Sequence, residues 1–590
     1  MADTERKLLV LYGSQTGYAK DTAQRIARQG WRRHFAVRVE AMDAQTDRRA
    51  IFDAQYPVVF VCSTTGQGEE PDNMKRFWRF LLRKALPHNA LEQLQFAVFG
   101  LGDSSYQKFN FPAKRLFRRL QQLGAQAIVE RGDGDDQHYL GMDGALDPWL
   151  DELWQELLRR YPLPRPVIPD EVAPDPSFDV AFATEGEWDH AHVNQVEAAP
   201  DMFPARLVSS ERLTAADHFQ DVRHLRFGLA EVPEERPVWN PGDCAVVRPE
   251  NPEADVSAAL ERMGWTEQAD TPLRIVPHSQ TVAELPERVP RVTTLRWLFA
   301  HYFDIGAVPR RSFFEMLYYF SQSTNEKERL GEFSQGGDGQ DELQTYCMRP
   351  RRTILEVLDD LPNSRVPLTY IFDVFPEIAE RSFSISSAAP ADHVDLTVAI
   401  VDYQTIMQKP RVGVCTRWLA AMTPGELVHL RFARGTMHLP TDPAVPIMMV
   451  GPGTGIAAFM AFLECRIANG ATENYLFFGC RSQEKDFLYR QRLEQWAAEG
   501  KLHLFCAFSR DQDTKVYVQQ RIREQGQLVW QLLEDRGAAV YVSGNANRMP
   551  DDVRQAFTDV VAARMGSEEG ASAYIRALAK SRRYQEECWY

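Results

Sequence analysis

Residues 8–17 read LLVLYGSQTG, a short apolar run that ends in a glycine and continues into small polar residues. Such a run is typical of a buried strand, and the residues after it favour a turn that opens a helix. Residues 58–62 (VVFVC) and 96–99 (FAVF) repeat the pattern, with helical stretches such as 75–86 between them. Strands that alternate with helices predict a parallel, doubly wound α/β sheet, in which ligands bind at the carboxyl ends of the strands.

Each of these strands is followed by a loop that suits a nucleotide cofactor. The loop at 13–17 (GSQTG) offers hydroxyls and backbone N–H groups to a phosphate dianion, and it lacks the lysine of a triphosphate-binding loop. The loops at 63–69 (STTGQGE) and 101–110 (LGDSSYQKFN) follow the next two strands, and Tyr106 offers a flat face for a ring system. Any one of them could be an ordinary turn, but three at one sheet edge favour a binding site.

The composition changes after residue 160. Residues 161–204 begin YPLPRPVIPD and hold one basic residue against nine acidic ones, which predicts a Pro-rich, acidic linker. Short strands follow, then a mostly helical stretch, then strands again from about 368 to 434, and finally a second strand–helix alternation. The predicted divisions are an α/β domain at 1–160, the linker at 161–204, a β-barrel at 205–440 with a helical insertion at about 251–367, and an α/β domain at 441–590.

Bulk composition excludes several classes of protein. A formal net charge of −15 over 590 residues argues against nucleic acid as a partner, because phosphate binding needs a basic face. No stretch reaches ~18 consecutive apolar residues, so no membrane span is expected, and the strand at Leu8 leaves no room for an N-terminal anchor. None of the eight cysteines forms a C-x-x-C pair. We therefore expect no metal site, and we expect reduced thiols in the cytoplasm.

Three further segments carry patterns of cofactor binding. Residues 381–384 (RSFS) put an arginine and an aromatic ring on one face of a probable strand, with a hydroxyl opposite. Residues 450–455 (VGPGTG) follow an apolar strand and precede an apolar helix, where glycines let a pyrophosphate approach the backbone. Residues 509–519 bring together two cations, hydroxyls and an aromatic, the donors that the 2′-phosphate of NADPH needs. A solvated basic turn is the alternative for this last segment.

Together these motifs resemble the diflavin reductase family over essentially the whole chain. The resemblance implies a flavodoxin-like doubly wound FMN domain, an FAD-binding β-barrel with a helical connecting insertion, and a C-terminal Rossmann-like NADPH-binding domain. It also implies the reaction: electrons pass from NADPH to FAD, then to FMN, and then to a protein acceptor. The acidic linker would let the FMN domain move between FAD and that acceptor.

The resemblance assigns residues to FMN. The phosphate is expected on Ser14, Gln15, Thr16, Gly17, Tyr18 and Ala19. Contacts with the isoalloxazine ring are expected from Ser63, Thr64, Thr65, Gly66, Leu101, Gly102, Asp103, Ser104, Ser105, Tyr106, Gln107, Lys108, Phe109 and Asn110, and Asp136 is expected beside the ring or the ribityl chain. Thr65 stands where the microsomal NADPH–cytochrome reductase has a second stacking tyrosine, which predicts weaker stacking on that face of FMN.

The resemblance also assigns residues to FAD and NADPH. Arg381 is expected on the FAD pyrophosphate, Phe383 against the flavin, and Ser384 near its reactive N5. Further FAD contacts are expected from Ser382, Gly413, Val414, Cys415, Thr416 and Arg349. NADPH contacts are expected from Thr454, Ser509, Arg510, Lys515, Val516, Tyr517, Val518, Gln519 and Asp552.

The transfer from NADPH to FAD is assigned to four residues. Ser384, Ser543 and Glu587 are expected to stabilise its geometry, and Trp589 is expected to lie over FAD and move aside for nicotinamide. Two of the four depart from the microsomal reductase. Ser543 replaces a cysteine, so that thiol is missing, and Glu587 replaces an aspartate.

Within the family, residues 63–74, 99–110 and 585–589 (QEECW) look most like the cytosolic branch. In that branch the acceptor is a cytosolic iron–sulfur protein of cluster assembly. Two readings of an enzyme remain open beside it, the flavoprotein subunit of sulfite reductase and a soluble haem-protein reductase. A non-catalytic binding protein that keeps the fold is a third alternative, which motifs at three cofactor sites disfavour.

Overall fold

The structure is a computed structural model, described here for residues 6–44, 51, 54–66, 68–106, 108–184, 186, 188, 193–195, 202–229, 238–278, 285–389 and 391–589. Numbered along the chain, the strands are β1 (Lys7–Gly13), β2 (Ala36–Ala41), β3 (Val58–Ser63), β4 (Gln95–Gly102), β5 (Gln126–Ala127), β6 (Gly132–Asp135), β7 (Phe178–Phe182), β8 (Phe203–Arg212), β9 (Val222–Gly228), β10 (Cys244–Val247), β11 (Pro272–Pro277), β12 (Thr293–Thr294), β13 (Arg381–Ser384), β14 (His393–Ala399), β15 (Asp402–Tyr403), β16 (Arg411–Val412), β17 (Leu427–Ala433), β18 (Ile447–Val450), β19 (Asn474–Cys480), β20 (His503–Phe508), β21 (Ala539–Asn545) and β22 (Tyr584–Trp589). The helices are α1 (Tyr18–Arg32), α2 (Lys75–Leu81), α3 (Phe111–Gln122), α4 (Asp143–Arg160), α5 (Glu253–Met263), α6 (Leu295–His301), α7 (Arg311–Phe320), α8 (Thr324–Ser334), α9 (Asp338–Leu343), α10 (Ile354–Asp360), α11 (Ile371–Val374), α12 (Val414–Ala421), α13 (Ile456–Ala468), α14 (Arg490–Ala498), α15 (Val518–Glu524), α16 (Gly526–Glu534), α17 (Met549–Met565) and α18 (Glu568–Lys580).

The chain divides into two compact units, each built from two separate stretches. The first unit joins Met1–Glu197 to Glu250–Ala379, and the second joins Ala198–Pro249 to Glu380–Tyr590. The helical stretch that interrupts the barrel sequence therefore packs with the N-terminal α/β stretch. No helix among the described residues is long and apolar enough to cross a membrane.

The first unit contains the predicted doubly wound sheet. Its strands run in the order β2-β1-β3-β4-β5, with β6 beside β4, and all the pairs are parallel. Leu9 and Leu11 of β1 pack with α2 and α3 on one face, whereas Leu8 and Val10 pack with α1 and α4 on the other. This two-sided burial explains why the central strands read as continuous apolar runs. The parallel pairing of the strands brings the polar loops that follow them to the same edge of the sheet.

The segment predicted as a linker contains a strand. β7 lies within 161–204 and pairs antiparallel with β11, so this part of the segment belongs to a sheet of the first unit. Phe178 and Val180 are buried in the core of the helical stretch, while Asp179 between them is exposed. The alternation of apolar and acidic residues is a strand pattern that the acidic, Pro-rich composition conceals.

Two other elements differ from the sequence prediction. α2 ends at Leu81 rather than near residue 86, and the carbonyl of Leu81 accepts a hydrogen bond from Arg119 Nε at 2.8 Å. The chain near residue 368 is helical and not a strand, and the barrel strands resume only at β13. Ile371 and Val374 of α11, three residues apart, are buried on one helix face, so the helical insertion extends beyond the predicted residue 367.

The second unit holds two sheets. One is antiparallel, with the order β13-β10-β17-β8-β9-β14, and corresponds to the predicted barrel. The other is parallel, with the order β20-β19-β18-β21-β22, and corresponds to the predicted Rossmann-like domain. β22 pairs with β21 in a register that sets Ser543 opposite Glu587 and Asn545 opposite Trp589. The parallel pairing therefore brings the C-terminal residues beside a loop that the sequence analysis assigned to the same reaction.

Candidate functional site

The loop between β1 and α1 is ordered by its own polar groups. Ser14 Oγ accepts a hydrogen bond from Gly17 N at 3.0 Å, and Ser14 N donates to Asn73 Oδ1 at 2.8 Å. Gln15 and Asp72 exchange two hydrogen bonds, at 3.2 and 3.1 Å. Gly17 has φ 87°, a conformation that favours glycine. The predicted phosphate residues therefore form one defined loop at a helix N-terminus, a natural site for an anion.

Hydrogen bonds join this loop to the other predicted FMN loops. Ser63 Oγ donates at 3.3 Å to the carbonyl that ends β1, and Thr64 N donates to Leu101 O at 2.8 Å. Asp136 N donates to Gly102 O at 2.9 Å, which adds the turn after β6. The structure thus brings together the ends of β1, β3, β4 and β6 at one edge of the sheet.

The second loop is a tight turn. Thr65 N donates to Glu69 O at 3.1 Å, and Glu69 N donates back to Thr65 O at 2.8 Å. Gly66 has φ 49°, and an added Cβ there would lie 2.5 Å from Glu69 Oε2. The hydroxyl of Thr64 is buried and has no hydrogen-bond partner among the described residues. Such an orphaned group needs a partner that the polypeptide does not provide.

Carboxylates order the third loop. Asp103 Oδ1 accepts from Ser105 N at 2.8 Å, and Asp135 Oδ1 accepts from Ser104 N at 2.9 Å. Although burial alone would raise it, the hydrogen bonds from Ser104 hold the pKa of Asp135 below its ordinary value. Burial and the neighbouring charge of Asp103 raise the pKa of Asp136. These opposite shifts arise because Asp135 receives N–H donors, whereas Asp136 faces another carboxylate.

Asn110 supports the third loop from within. It is fully buried, has φ 51° at the start of α3, and donates from Nδ2 to Gly134 O at 3.0 Å. Gly102 allows this packing because a Cβ there would lie 2.5 Å from Asn110 Oδ1. Lys108 lies along Gly68, and the carbonyl of Phe109 accepts from a lysine of α3. Gln107, also assigned to FMN, lies outside the described residues.

The site fits a flavin mononucleotide. Its donors are backbone N–H groups and hydroxyls at a helix N-terminus, as a phosphate dianion requires. Buried Thr64 Oγ1 and Asn110 Oδ1 offer unused polar atoms within the loop cluster. Tyr18 and Ala19 open α1, with the Tyr18 side chain 41% exposed and Ala19 buried.

In the second unit, the two predicted FAD segments come together on the antiparallel sheet. β13, which carries residues 381–384, pairs with β10 and places the partly buried Phe383 against the core of that sheet. Gly413 is the N-cap of α12, and Thr416 Oγ1 accepts from Val401 N at 3.0 Å. Burial raises the pKa of Cys415 to about 12, and the positive charge of Arg381 acts against that rise. An arginine beside a helix N-terminus fits the pyrophosphate of FAD.

The side chains of two residues assigned to FAD are engaged by the protein itself. Arg349 lies in the first unit, where it donates to Thr345 Oγ1 at 3.2 Å and to Asp341 Oδ1 at 3.3 Å. Cys415 is buried at 3% exposure, so its side chain supports α12 from beneath. Val414 follows the N-cap and opens the helix, and Ser382 lies exposed on β13.

The predicted NADPH residues lie on the loops of the parallel sheet. A Cβ on Gly455 would lie 2.0 Å from Ser543 O, so the Gly-rich loop that carries Thr454 packs directly on the carboxyl end of β21. Gln519 Nε2 donates to Asp552 Oδ2 at 3.3 Å and thereby links two assigned contacts on α15 and α17. Gly455 is therefore required by close packing within the fold, which is the role of one of the glycines in a dinucleotide-binding loop.

The segment assigned to the 2′-phosphate presents exposed cations. Ser509 and Arg510 follow β20, and their N–H groups donate to the carbonyls of Cys480 and Arg481 at 3.0 and 2.8 Å. Arg510 and Lys515 have exposed side chains, as does Tyr517. The other members of the segment turn inward, with Val516 partly buried and Val518 buried in α15. This mixture of fixed backbone and exposed cationic side chains fits the 2′-phosphate.

The structure joins the four residues assigned to the NADPH-to-FAD step. Ser384 Oγ lies 3.5 Å from Glu587 Oε1, and β21–β22 pairing sets Ser543 beside Glu587. The Ser543 hydroxyl is fully buried without a hydrogen-bond partner among the described residues. Trp589 is 37% exposed, and its carbonyl accepts from Ala546 N at 2.8 Å. The Ser384 hydroxyl therefore contacts the Glu587 carboxylate, and Ser543 and Trp589 lie next to Glu587 along β21 and β22.

Sequence reasoning missed two residues of this cluster. Cys244, opposite Ser384 in the β10–β13 pair, has its Sγ 3.8 Å from Glu587 Oε1. Thr436 donates to Glu587 Oε2 from its N at 3.1 Å and from its Oγ1 at 2.7 Å. Neither belongs to a motif quoted above, although Cys244 directly follows the P-G-D turn at the start of a strand.

Comparison with known proteins bears on all three cofactor regions. A flavodoxin model matches residues 10–149, an FAD-binding domain model matches 197–418, and an oxidoreductase NAD-binding domain model matches 449–555. NADPH-dependent diflavin oxidoreductase 1 of Danio rerio is 44% identical over 598 residues, covering 99% of both chains. The Bos taurus and Schizosaccharomyces pombe proteins of that name are 43% and 40% identical, again covering 99% of both chains.

The chain belongs to the NADPH-dependent diflavin oxidoreductase family. Its cofactors are FMN, FAD and NADPH, and electrons pass through it from NADPH to FAD to FMN. The resemblance in the flavin motifs is thereby confirmed for the family and for the order of its domains.

Proposed function

We propose that this diflavin oxidoreductase delivers its electrons to an iron–sulfur protein of cytosolic cluster assembly, and that it acts in the cytoplasm. Bound FAD would supply two-electron hydride chemistry toward NADPH, and bound FMN would supply one-electron transfer toward the acceptor. An iron–sulfur cluster is a one-electron acceptor, so it suits the FMN end of this route. The resemblance of the flavin loops and the C-terminal residues to the cytosolic branch supports this acceptor over a haem protein.

The proposal includes the three cofactor sites. FMN would be held by the loops that join Ser14–Ala19, Ser63–Gly66 and Leu101–Asn110. FAD would be held by β13 and the start of α12, and NADPH by the Gly-rich loop and the cationic segment 509–519. Ser384, Ser543 and Glu587 would orient the NADPH-to-FAD step, with Trp589 excluding water until nicotinamide enters.

The observation that carries the acceptor proposal is the acidic rim of the FMN loops. Asp72 and Asp136 are exposed on this edge, and Asp103 is partly exposed beside them. Tyr139, on the turn that follows β6, is 69% exposed. Lys75 pairs with Asp72 at 2.6 Å and offsets part of the charge. A carboxylate rim around an electron exit favours an acceptor with a basic face and makes the encounter rate fall with salt.

The test mixes NADPH-reduced full-length protein, under anaerobic conditions, with an oxidised [2Fe–2S] protein of cluster assembly, and follows cluster reduction by electron paramagnetic resonance. We expect reduction whose rate falls as salt increases. With the FMN content matched to that of the unmodified protein, the rate at low salt should be lower in Asp103→Asn and Asp136→Asn. Asp151→Asn, which removes an exposed carboxylate on α4, is the matched control and should leave the rate unchanged. Reduction of a haem protein but not of the cluster would overturn the acceptor and keep the family.

A further inference from the structure

An arginine of the helical insertion contacts the loop that precedes α1. Arg310, the N-cap residue of α7, donates from Nη1 to Gly17 O at 3.0 Å and from Nη2 to Thr16 O at 2.9 Å. Its guanidinium carbon also lies 4.1 Å from the centroid of the Tyr18 ring. The insertion therefore places a cation on three consecutive residues of the loop that the proposed function assigns to the FMN phosphate.

The backbone of this loop is shaped for that contact. A Cβ on Gly17 would lie 3.3 Å from both Nη1 and Nη2 of Arg310, so a larger residue would crowd the guanidinium as well as strain the positive φ. In a trans peptide the N–H points away from the C=O. By holding the carbonyls of Thr16 and Gly17, Arg310 fixes the next two N–H groups on the opposite side of the loop, where that of Gly17 donates to Ser14 Oγ and that of Tyr18 follows it.

Further contacts hold α7 against α1. Arg28 Nη2 pairs with Glu315 Oε2 at 2.9 Å, and Ser312 donates from Oγ to Asp21 Oδ1. Asp147 of α4 accepts from Arg311 as well, at 2.8 Å. These polar contacts lie in one compact unit, so the position of Arg310 is fixed by packing on both sides. Positioned charges of this kind lose little entropy when they act.

We infer that Arg310 is an FMN-site residue supplied by the helical insertion, and that it couples FMN binding to the docking of the insertion on α1. The guanidinium adds positive charge on the carbonyl side of the loop, and it fixes the backbone whose N–H groups point to the other side, where a phosphate dianion would bind. By reciprocity, a bound phosphate must then stabilise the α1–α7 contact by the same factor by which docking tightens FMN binding. The inference rests on the proposed assignment of this loop to the FMN phosphate.

The test uses the full chain freed of FMN and titrated with FMN or with riboflavin, which lacks the phosphate. We expect Arg310→Ala to raise the FMN dissociation constant about tenfold, the effect of one charge-assisted hydrogen bond, and to leave riboflavin binding unchanged. Arg310→Lys keeps the charge but cannot donate to both carbonyls in a bidentate way, so it should weaken FMN binding less than Arg310→Ala does. Arg296→Ala is the matched control, because Arg296 belongs to the insertion but pairs with Asp270 and Glu253.

Hydrogen exchange gives a second measurement, which does not depend on enzymatic activity. FMN should slow amide exchange across residues 311–316 in the unmodified chain and have no such effect in Arg310→Ala. Equal weakening of FMN and riboflavin binding, or unchanged FMN binding, would overturn the inference. Ser14→Ala separates this failure from that of the site assignment. If Ser14→Ala also leaves FMN binding unchanged, the loop itself is not the phosphate site.

Discussion

Ser384 Oγ lies 3.5 Å from Glu587 Oε1, although 203 residues separate the two along the chain. The other carboxylate oxygen accepts two hydrogen bonds from Thr436, at 3.1 and 2.7 Å. The carboxylate is therefore fixed by donors from two separate segments. Its position beside Ser543 is set by the β21–β22 register. In the proposed function, this charge lies where nicotinamide would approach the flavin.

Glu587→Gln should slow the reduction of FAD by NADPH. The amide keeps the size of the side chain but removes the charge that stabilises the reacting groups, so we expect a loss of about 100-fold, the low end for a positioned carboxylate. Anaerobic stopped-flow with NADPH and with its deuterated form measures the step itself. Glu587→Asp, which keeps the charge on a shorter chain, should lose less. An unchanged rate and isotope effect in Glu587→Gln would exclude this role.

The contact between Ser384 and Glu587 predicts that their effects are coupled. Ser384→Ala removes one donor to the carboxylate, so it should also slow FAD reduction, by about tenfold for a hydrogen bond to a charged group. In a Glu587→Gln background, Ser384→Ala should slow FAD reduction by a smaller factor, because the charge to which Ser384 donates is already absent. Multiplicative effects of the two substitutions on the stopped-flow rate would show that the residues act independently.

Cys244 should respond to the charge of Glu587. Burial raises the pKa of the Cys244 thiol, and the negative charge of Glu587 raises it further. Glu587→Gln should therefore lower this pKa and speed alkylation of Cys244 by about threefold or more at mildly alkaline pH, because the thiolate is the reacting form. Peptide mass spectrometry of timed iodoacetamide labelling measures each cysteine separately. Cys415, which is buried elsewhere in the same unit, is the internal control and should label at an unchanged rate.

The parts of the fold that follow from local pattern were predictable. β1, β3 and β4 appear where apolar runs of four or five residues end in polar loops, and their parallel pairing brings those loops together. Local pattern failed where another segment decides the outcome. The carbonyl that ends α2 is taken by Arg119, and β7 exists because β11 offers it a partner. Neither partner is visible from the sequence around these elements.

The candidate site shows the same division. The sequence motifs of each cofactor loop could be recognised, since each lies within one strand–loop–helix segment. Cys244 and Thr436 could not be, because only antiparallel pairing and the path of the chain after β17 bring them to Glu587. Arg310 is likewise contributed by an insertion whose docking on α1 depends on side chains far apart in the sequence. Long-range packing supplies these residues, and no local motif marks them.

Arg510→Ala and Lys515→Ala should each raise the KM for NADPH about tenfold or more while leaving that for NADH nearly unchanged. The reason is that only NADPH carries the 2′-phosphate, and a hydrogen bond to a charged group contributes about 1.5–3 kcal/mol. Steady-state kinetics with both nucleotides measure the ratio. Arg523→Ala removes a cation of α15 that pairs with Asp559 at 2.8 Å, and should change neither KM. Equal losses with both nucleotides would refute the assignment.

Asp395 predicts acid sensitivity of the antiparallel sheet. It is 2% exposed and accepts from Arg226 at 2.9 and 2.8 Å, with His224 Nε2 3.4 Å away. Although burial alone would raise it, hydrogen bonds from Arg226 and His224 hold the pKa of Asp395 well below its ordinary 3.8. A carboxyl whose pKa is lower in the folded state stabilises that state above its ordinary pKa, and the contribution is lost as the pH falls below it.

Hydrogen exchange at β9 and β14 should therefore accelerate as the pH is lowered through about 4, after correction for the intrinsic pH dependence of exchange. Asp395→Asn should lose about 2 kcal/mol of local stability at neutral pH, the scale of a hydrogen bond to a charged group. The difference in exchange rate between Asp395→Asn and the unmodified protein should shrink as the pH falls, because both chains then lack the charge at residue 395. His278→Gln is the control, since His278 pairs with Asp179 and not with Asp395. Parallel pH profiles for Asp395→Asn and the unmodified chain would mean that this carboxylate does not control the acid response.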